Sequence, residues 1–107
     1  MRRGDIVVVA MQGDSGKPRP ALVVQAEQFA ELSSVVVLPL TSTLLDAELL
    51  RVNIEPAEGT GLHARSQIAV DRPNGVRREK IGRTIGRADD ATMVEVNRSL
   101  AVFLGLA

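Results

Sequence analysis

Two short apolar segments in the first 42 residues each meet side chains that can bind a phosphate. Gly16-Lys17-Pro18-Arg19-Pro20 leads into Ala21-Leu22-Val23-Val24, and Val35-Val36-Val37-Leu38-Pro39-Leu40 leads into Thr41-Ser42. Runs of β-branched and aliphatic residues bounded by Gly and Pro are typical of strands. If the two strands pair antiparallel, the guanidinium of Arg19 and the hydroxyls of Thr41 and Ser42 meet at one end of a sheet. That combination suits a phosphodiester.

The rest of the chain predicts a mainly β fold with five or six short strands. Apolar runs and alternation place them at residues 5–11, 20–25, 34–38, 51–55, 66–71 and 80–86, with a helical turn at 27–32. Segment 34–38 is almost wholly apolar, which predicts a central strand buried on both faces. In segment 66–71 the alternation predicts Gln67 and Asp71 on the face opposite Ile68 and Val70.

One helix is expected at the C-terminal end. Asp89 or Asp90 is a suitable N-cap, and Gly105 is a suitable residue just beyond the last turn. Apolar residues recur at helical spacing on one face: Met93, Val96, Leu100 and Phe103 with Leu104. Segments 40–49 and 56–65 are the longest irregular stretches, and long loops are often functional.

Length and composition exclude several classes of protein. The 107 residues predict a single domain over residues 1–107. The absence of Cys excludes disulfide scaffolds, Cys-based zinc sites and thiolate catalysis. With one His and no clustered carboxylates beyond Asp89-Asp90, we expect neither a metal site nor a cofactor. No apolar run approaches the ~18 residues of a membrane span, and the run at 6–11 is too short for a signal peptide. A cytoplasmic protein without membrane association is expected.

Charge is balanced overall but unevenly distributed. The chain has 13 basic and 13 acidic residues, which argues against strong non-specific binding to nucleic acid. Residues 65–87, however, include seven basic residues and only two acids. Such a distribution can form a local basic face. Trp and Tyr are absent and Phe occurs twice, so contacts with RNA would depend on Arg, polar groups and backbone rather than on stacking.

Several blocks of the sequence resemble the MazF/PemK toxin endoribonucleases. They are Arg3-Gly4-Asp5-Ile6, residues 16–25, Leu38-Pro39-Leu40-Thr41-Ser42, residues 66–71, Ile85-Gly86-Arg87 and Leu104-Gly105-Leu106, in the family's order. The resemblance implies an SH3-like barrel of the MazF/CcdB type with short helical turns and a C-terminal helix. It also implies a homodimer, metal-independent cleavage of single-stranded RNA that inhibits translation and growth, and a cognate antitoxin whose tail occupies the RNA groove. We expect the dimer interface at the apolar helix face and at strand 66–71.

The resemblance also implies roles for individual residues. Arg19 matches the family's Arg that binds the scissile phosphate and serves in proton transfer, and Thr41 matches the Thr whose hydroxyl stabilises the phosphorane. These two are the predicted catalytic residues. The predicted RNA contacts are Lys17, Ser42, Gln67, Asp71, Arg72 and Arg77. Many members carry an Arg-Thr pair after the strand at 66–71; here the chain reads Asp71-Arg72-Pro73-Asn74-Gly75, and Asp71 or Arg72 is the candidate substitute.

Two other functions remain open at this point. CcdB-type proteins share the implied fold and block DNA gyrase without cleaving anything, but they end in Trp-Gly-Ile, whereas this chain ends Leu104-Gly105-Leu106-Ala107. A catalytically inactive binding module is the other possibility, in which Arg19 pairs with an acid such as Asp14 and Thr41-Ser42 only caps a loop. His63 is the sole imidazole, but it lies in a Gly-rich loop and matches no family residue.

Overall fold

The computed structural model describes residues 1–10 and 17–107, and within them the fold is mainly β with one C-terminal helix, as predicted. The strands are β1 Asp5–Val9, β2 Arg19–Val23, β3 Ser34–Thr41, β4 Arg51–Ile54, β5 Ser66–Ala69, β6 Asn74–Arg77 and β7 Ile81–Arg87. Two 3₁₀ turns cover Glu27–Phe29 and Arg78–Lys80, and helix α1 spans Asp90–Phe103. The predictions for Met11 and for Asp14 lie outside the described residues.

Strand β3 is the centre of an antiparallel sheet ordered β4-β5-β3-β2-β1-β7. It pairs with β2 along one edge and with two different strands along the other: β6 beside its first half and β5 beside its last two residues. β6 was not predicted, because Asn74 and Gly75 are poor strand formers locally. Its extended conformation comes from pairing with β3.

The central strands send alternate side chains into two apolar clusters. One cross-strand row consists of Ile6, Leu22 and Leu38. It packs with Ile68 of β5 and with Val96 of α1. Their neighbours in sequence point to the other face and form the second cluster, which contains Val7, Val9, Ala21, Val23, Val35, Val37 and Val76. β3 is therefore central, as predicted, but the prediction that it is buried on both faces is wrong at Ser34 and Val36, which are exposed.

Strand β5 has the predicted alternation, with Gln67 on the face opposite Ile68, but both of its faces are buried. All four of its residues are buried, including Gln67 and Ala69, because β3 and β4 flank the strand and the segment after β3 contacts Gln67. Ala69 is only 1% exposed. The expectation that this strand offers an outward dimer surface is therefore wrong.

Helix α1 begins and ends at the residues that the sequence indicated. The carboxylate of Asp89, the N-cap, accepts a hydrogen bond from the Thr92 backbone N–H at 2.8 Å. Gly105 follows the last turn with φ of +75°, a conformation that residues with a Cβ rarely adopt. Val96 is buried in the core, but Phe103 and Leu104 at the C-terminal end are largely exposed. No helix in the described residues is long and apolar enough to span a membrane.

The irregular segment 56–65 is a packed structural loop. The buried hydroxyl of Thr60 accepts from the Ala57 and Leu62 backbone N–H groups, which gives the loop its shape. Gly61, at φ of +69°, and Gly86 let this loop and β7 approach so closely that a Cβ at either position would overlap backbone atoms.

The first and last strands in the chain, β1 and β7, are neighbours in the sheet and are joined by an ion pair. Arg87 Nη1 lies 2.6 Å from Asp5 Oδ1, and Arg87 Nη2 donates to the Arg3 carbonyl at 3.1 Å. Gly4, at φ of +96°, lies directly against that guanidinium. The two sequence blocks that contain Gly4-Asp5 and Gly86-Arg87 are therefore structural partners.

Candidate functional site

A polar pocket of about 330 Å³ lies where β2 begins and β3 ends. Its lining includes the two predicted catalytic residues, Arg19 and Thr41, together with Ser42 and Arg72 of the predicted RNA contacts. The remaining lining residues are Pro20, Pro39, Leu40, Thr43, Ser66 and Ala69.

Strand pairing explains why Arg19 and Thr41 meet. Arg19 is the first residue of β2, Thr41 is the last residue of β3, and Ala21 pairs with Pro39. Continuing that antiparallel register by two residues sets Arg19 opposite Thr41. Directly opposed residues of antiparallel strands share one face of the sheet, so the guanidinium and the hydroxyl project to the same side. Arg19 is exposed and Thr41 is half-buried.

The Thr41 hydroxyl is oriented by the turn that follows it. Its oxygen accepts a hydrogen bond from the Thr43 backbone N–H at 3.1 Å. A hydroxyl has one proton and two lone pairs, so this bond leaves the proton available for donation. Ser42, between these two residues, is exposed and lines the pocket.

The residues after β5 approach the pocket from the other side. Arg72 is exposed and lines it, and its backbone N–H donates to the Ala69 carbonyl at 3.2 Å in the turn that ends the strand. Asp71 is half-buried and is not among the lining residues. Its Oδ1 atom is fully buried and has no hydrogen-bond partner within residues 1–10 and 17–107.

Like Asp71, three other predicted RNA contacts do not line the pocket. Lys17 is exposed two residues before Arg19. Gln67 pairs with Thr41 across β5 and β3, but its side-chain amide bonds to Leu45 and Asn53. Arg77 pairs with Ser34 at the opposite end of β3 and lies 3.6 Å from Glu79.

The basic segment 65–87 does not gather around the pocket. Arg87 is bound to Asp5, Arg65 lies 2.9 Å from Glu55, and Arg77 lies beside Glu79. Arg72 is the member of the segment that lines the pocket. The positive charge of the described part of the site therefore comes from Arg19 and Arg72.

Several lining residues of the pocket were not predicted from the sequence. Thr43 could have been found from its position beside Thr41-Ser42. Ser66 and Ala69 had no local signal, because only the pairing of β5 with β3 brings them to the pocket. In the described residues, no group of three or more His, Asp or Glu side chains could hold a metal ion.

Comparison with known proteins identifies the family. A family model described as PemK-like, MazF-like toxin of type II toxin-antitoxin system matches residues 2–104. The chain belongs to this family. It is 44% identical over 108 residues to a probable endoribonuclease MazF of Mycolicibacterium smegmatis, a match that covers 100% of this chain and 99% of the relative.

Solved structures share the fold of this MazF-like toxin. The Mycobacterium tuberculosis toxin MazF-mt6 superimposes with a TM-score of 0.83 at 21% identity, over 96% of this chain and 98% of that one. An endoribonuclease in complex with its cognate antitoxin, from a mycobacterial species, has a TM-score of 0.82 at 21% identity, over 100% and 97% of the two chains. The MazF/PemK resemblance is thus confirmed, and the gyrase-poison alternative is not favoured.

Proposed function

We propose that this MazF-like toxin is an endoribonuclease that cleaves single-stranded RNA in the pocket between Arg19 and Thr41. The observation that carries the proposal is the joint lining of one pocket by these two residues, in a chain 44% identical to a probable endoribonuclease. The toxin acts in the cytoplasm, where cleavage of messenger RNA inhibits translation and growth.

RNA supplies its own nucleophile, the 2′-hydroxyl, so the protein has to orient the phosphodiester and neutralise the charge that develops on it. Attack of the 2′-oxygen on phosphorus forms one P–O bond and breaks the bond to the 5′-oxygen. The proton of the 2′-hydroxyl passes to solvent, and the departing 5′-oxygen takes up a proton from solvent. The products are a 2′,3′-cyclic phosphate, or the 3′-phosphate from its hydrolysis, and a 5′-hydroxyl. No external oxidant, reductant or metal ion is required by this balance.

Arg19 and Thr41 divide this work. An Arg side chain is effectively always protonated, so Arg19 stabilises the phosphorane chiefly as a fixed charge and bidentate donor. The Thr41 hydroxyl donates a hydrogen bond to a phosphorane oxygen. Its proton is available because the bond from the Thr43 N–H occupies only a lone pair of the hydroxyl oxygen. Both groups are held by the ends of paired strands, which keeps them in place before the substrate arrives.

The other contacts extend the pocket along the RNA backbone. Ser42 and Arg72 line it and bind the phosphates that flank the scissile bond. Lys17 adds positive charge beyond Arg19, and Asp71 and Arg77 remain sequence-based candidates for weaker contacts. The partners of the toxin are single-stranded RNA, a second copy of the chain and a cognate antitoxin. An acidic antitoxin tail inhibits cleavage by competing for Arg19 and Arg72.

Cleavage of a mixed-sequence single-stranded RNA by purified protein tests the proposal. We expect discrete fragments with 5′-hydroxyl ends, formed equally well in excess EDTA. Loss of cleavage on chelation and its recovery with Mg²⁺ would disprove the metal-independent mechanism. Binding of RNA without cleavage would instead identify an inactive binding module.

A further inference from the structure

The side chain of Gln67 lies next to the proposed catalytic hydroxyl but does not line the pocket. In the antiparallel register Gln67 is directly opposite Thr41 on β3 and directly opposite Asn53 on β4. The three side chains therefore share one face of the sheet. Gln67 is only 6% exposed, and buried polar groups are costly unless they form hydrogen bonds.

The amide of Gln67 is bound on both sides to the backbone of one residue. Its Oε1 accepts from the Leu45 N–H at 2.9 Å, and its Nε2 donates to the Leu45 carbonyl at 2.9 Å. The second Nε2 proton goes to Asn53 Oδ1 at 3.0 Å. Both protons of the amide are thus used. Rotating the amide by 180° would place the Gln67 Nε2–H group against the Leu45 backbone N–H, so both bonds to Leu45 would be lost.

Little else fixes the segment that follows Thr41. Residues 42–46 are all exposed, and the apolar side chains of Leu44 and Leu45 are 46% and 51% exposed. Apolar burial of this segment is therefore only partial, and hydrogen bonds to the sheet contribute to holding it. Thr41 anchors its start through the β3–β5 ladder, and the Gln67 amide anchors it four residues later.

We propose that Gln67 is a positioning residue, whose amide holds the segment 41–45 so that the Thr41 hydroxyl points into the pocket. This inference rests on the proposed ribonuclease function and assigns Gln67 an indirect role. A shift of about 1 Å in a catalytic group can cost about 100-fold in rate. Loss of this anchor should therefore lower kcat and leave RNA affinity unchanged.

Gln67→Glu tests the donor half of the amide with almost no change in shape. An ionised carboxylate cannot donate to the Leu45 carbonyl, whereas a protonated carboxyl can. Asp46, Glu48, Glu95 and Arg51 line the neighbouring cavity with Gln67. We expect burial and these three carboxylates, opposed by the Arg51 guanidinium, to raise the pKa of the introduced carboxyl above the ordinary Glu value of about 4.3.

The assay is single-turnover cleavage of a short RNA that contains a site mapped with wild-type protein. At pH 8 we expect the single-turnover rate constant for cleavage by Gln67→Glu to be about 10- to 100-fold below that of wild type. The ratio of variant to wild type should rise towards one as the pH falls to 5. Gln67→Met lacks donor and acceptor and should stay low at every pH. The matched control is Gln28→Glu, at an exposed residue of the first 3₁₀ turn.

Two further measurements separate the possible failures. Affinity for the same RNA with a 2′-deoxy scissile nucleotide should not change in either Gln67 variant; weaker binding with normal kcat would show a direct RNA contact and overturn the inference. In the free protein, exchange of the Leu45 backbone amide with solvent should be faster in Gln67→Met than in wild type, and equal rates would also overturn it. Failure of wild-type protein to cleave RNA would refute the proposed function instead.

Discussion

Arg19 is positioned by its neighbours in sequence as much as by the fold. Pro18 and Pro20 restrict the backbone on either side of it, and β2 begins at Arg19 itself. The residue is exposed and lies outside the two apolar clusters, so its charge is accessible to a substrate. The extended backbone at Arg19 could therefore be predicted from sequence alone, because the constraint is local.

Arg19→Ala should abolish cleavage and leave the melting temperature unchanged. Removal of a preorganised charge next to the phosphorane should cost about 2.7–4 kcal/mol, or about 100- to 1,000-fold in kcat, by analogy with oxyanion-hole donors. Cleavage rates and thermal melts of the purified variant measure both effects. Arg83→Ala, at an exposed β7 residue that is not part of the pocket lining, is the matched control. An Arg19→Ala protein that cleaves at the wild-type rate would remove Arg19 from the mechanism.

Thr41→Val keeps the shape of the side chain and deletes its hydroxyl. The loss of one hydrogen bond to a charged group should cost about 1.5–3 kcal/mol, or about 10- to 100-fold in kcat, a smaller defect than that of Arg19→Ala. Thr41→Ser retains the hydroxyl and should remain close to wild type in the same assay. If the valine and serine variants cleave equally fast, the hydroxyl has no catalytic role.

At the scale of elements, locally encoded features were predicted well. The alternation at residues 51–55 predicted a strand, and β4 buries Val52 and Ile54 on one face. Helix α1 begins after Asp89 because that cap is a local interaction. β6 was missed because pairing with β3 determines it. The burial of Gln67 was missed for a related reason: the segment that contacts it has no regular pattern of its own.

The N-cap of α1 makes one contribution to stability that depends on pH. The Thr92 side chain, and then its backbone N–H, stabilise the ionised carboxylate and lower the pKa of Asp89 below 3.8. The stabilisation is therefore complete above the unfolded-state pKa and is lost as the pH falls through the lower folded-state pKa. Asp89→Asn, which keeps a capping oxygen, should lose this pH dependence.

Thermal melts of the wild type, Asp89→Asn and Asp89→Ala between pH 7 and pH 2 measure this effect. We expect the wild type to melt above Asp89→Ala at pH 7 and the difference to shrink below about pH 4. The difference between Asp89→Asn and Asp89→Ala should stay constant over the same range. A wild-type advantage that persists undiminished at pH 2 would show that the carboxylate charge does not stabilise the helix.

For the whole molecule, the distribution of charge limits how RNA can bind. The net charge is zero, and several basic side chains of segment 65–87 are paired with acids of the same chain. Affinity must therefore come from the pocket and its surroundings rather than from bulk charge. Among the pocket-lining residues that the structure describes, one subunit has two guanidinium groups, those of Arg19 and Arg72. A single chain therefore provides only a short track of positive charge for an extended RNA.

A two-fold dimer would join two such tracks through an isologous interface, and the exposed apolar end of α1 is one surface that could form it. Val102, Phe103 and Leu104 are 48%, 42% and 54% exposed, unlike the covered strand β5. Sedimentation equilibrium at micromolar concentration should give about twice the monomer mass of 11.5 kDa. Phe103→Glu should shift the protein towards monomer and slow RNA cleavage, whereas Glu95→Gln, on the same helix, should not shift it. A strictly monomeric wild-type protein that cleaves RNA at full rate would overturn the shared groove, since one pocket would then suffice.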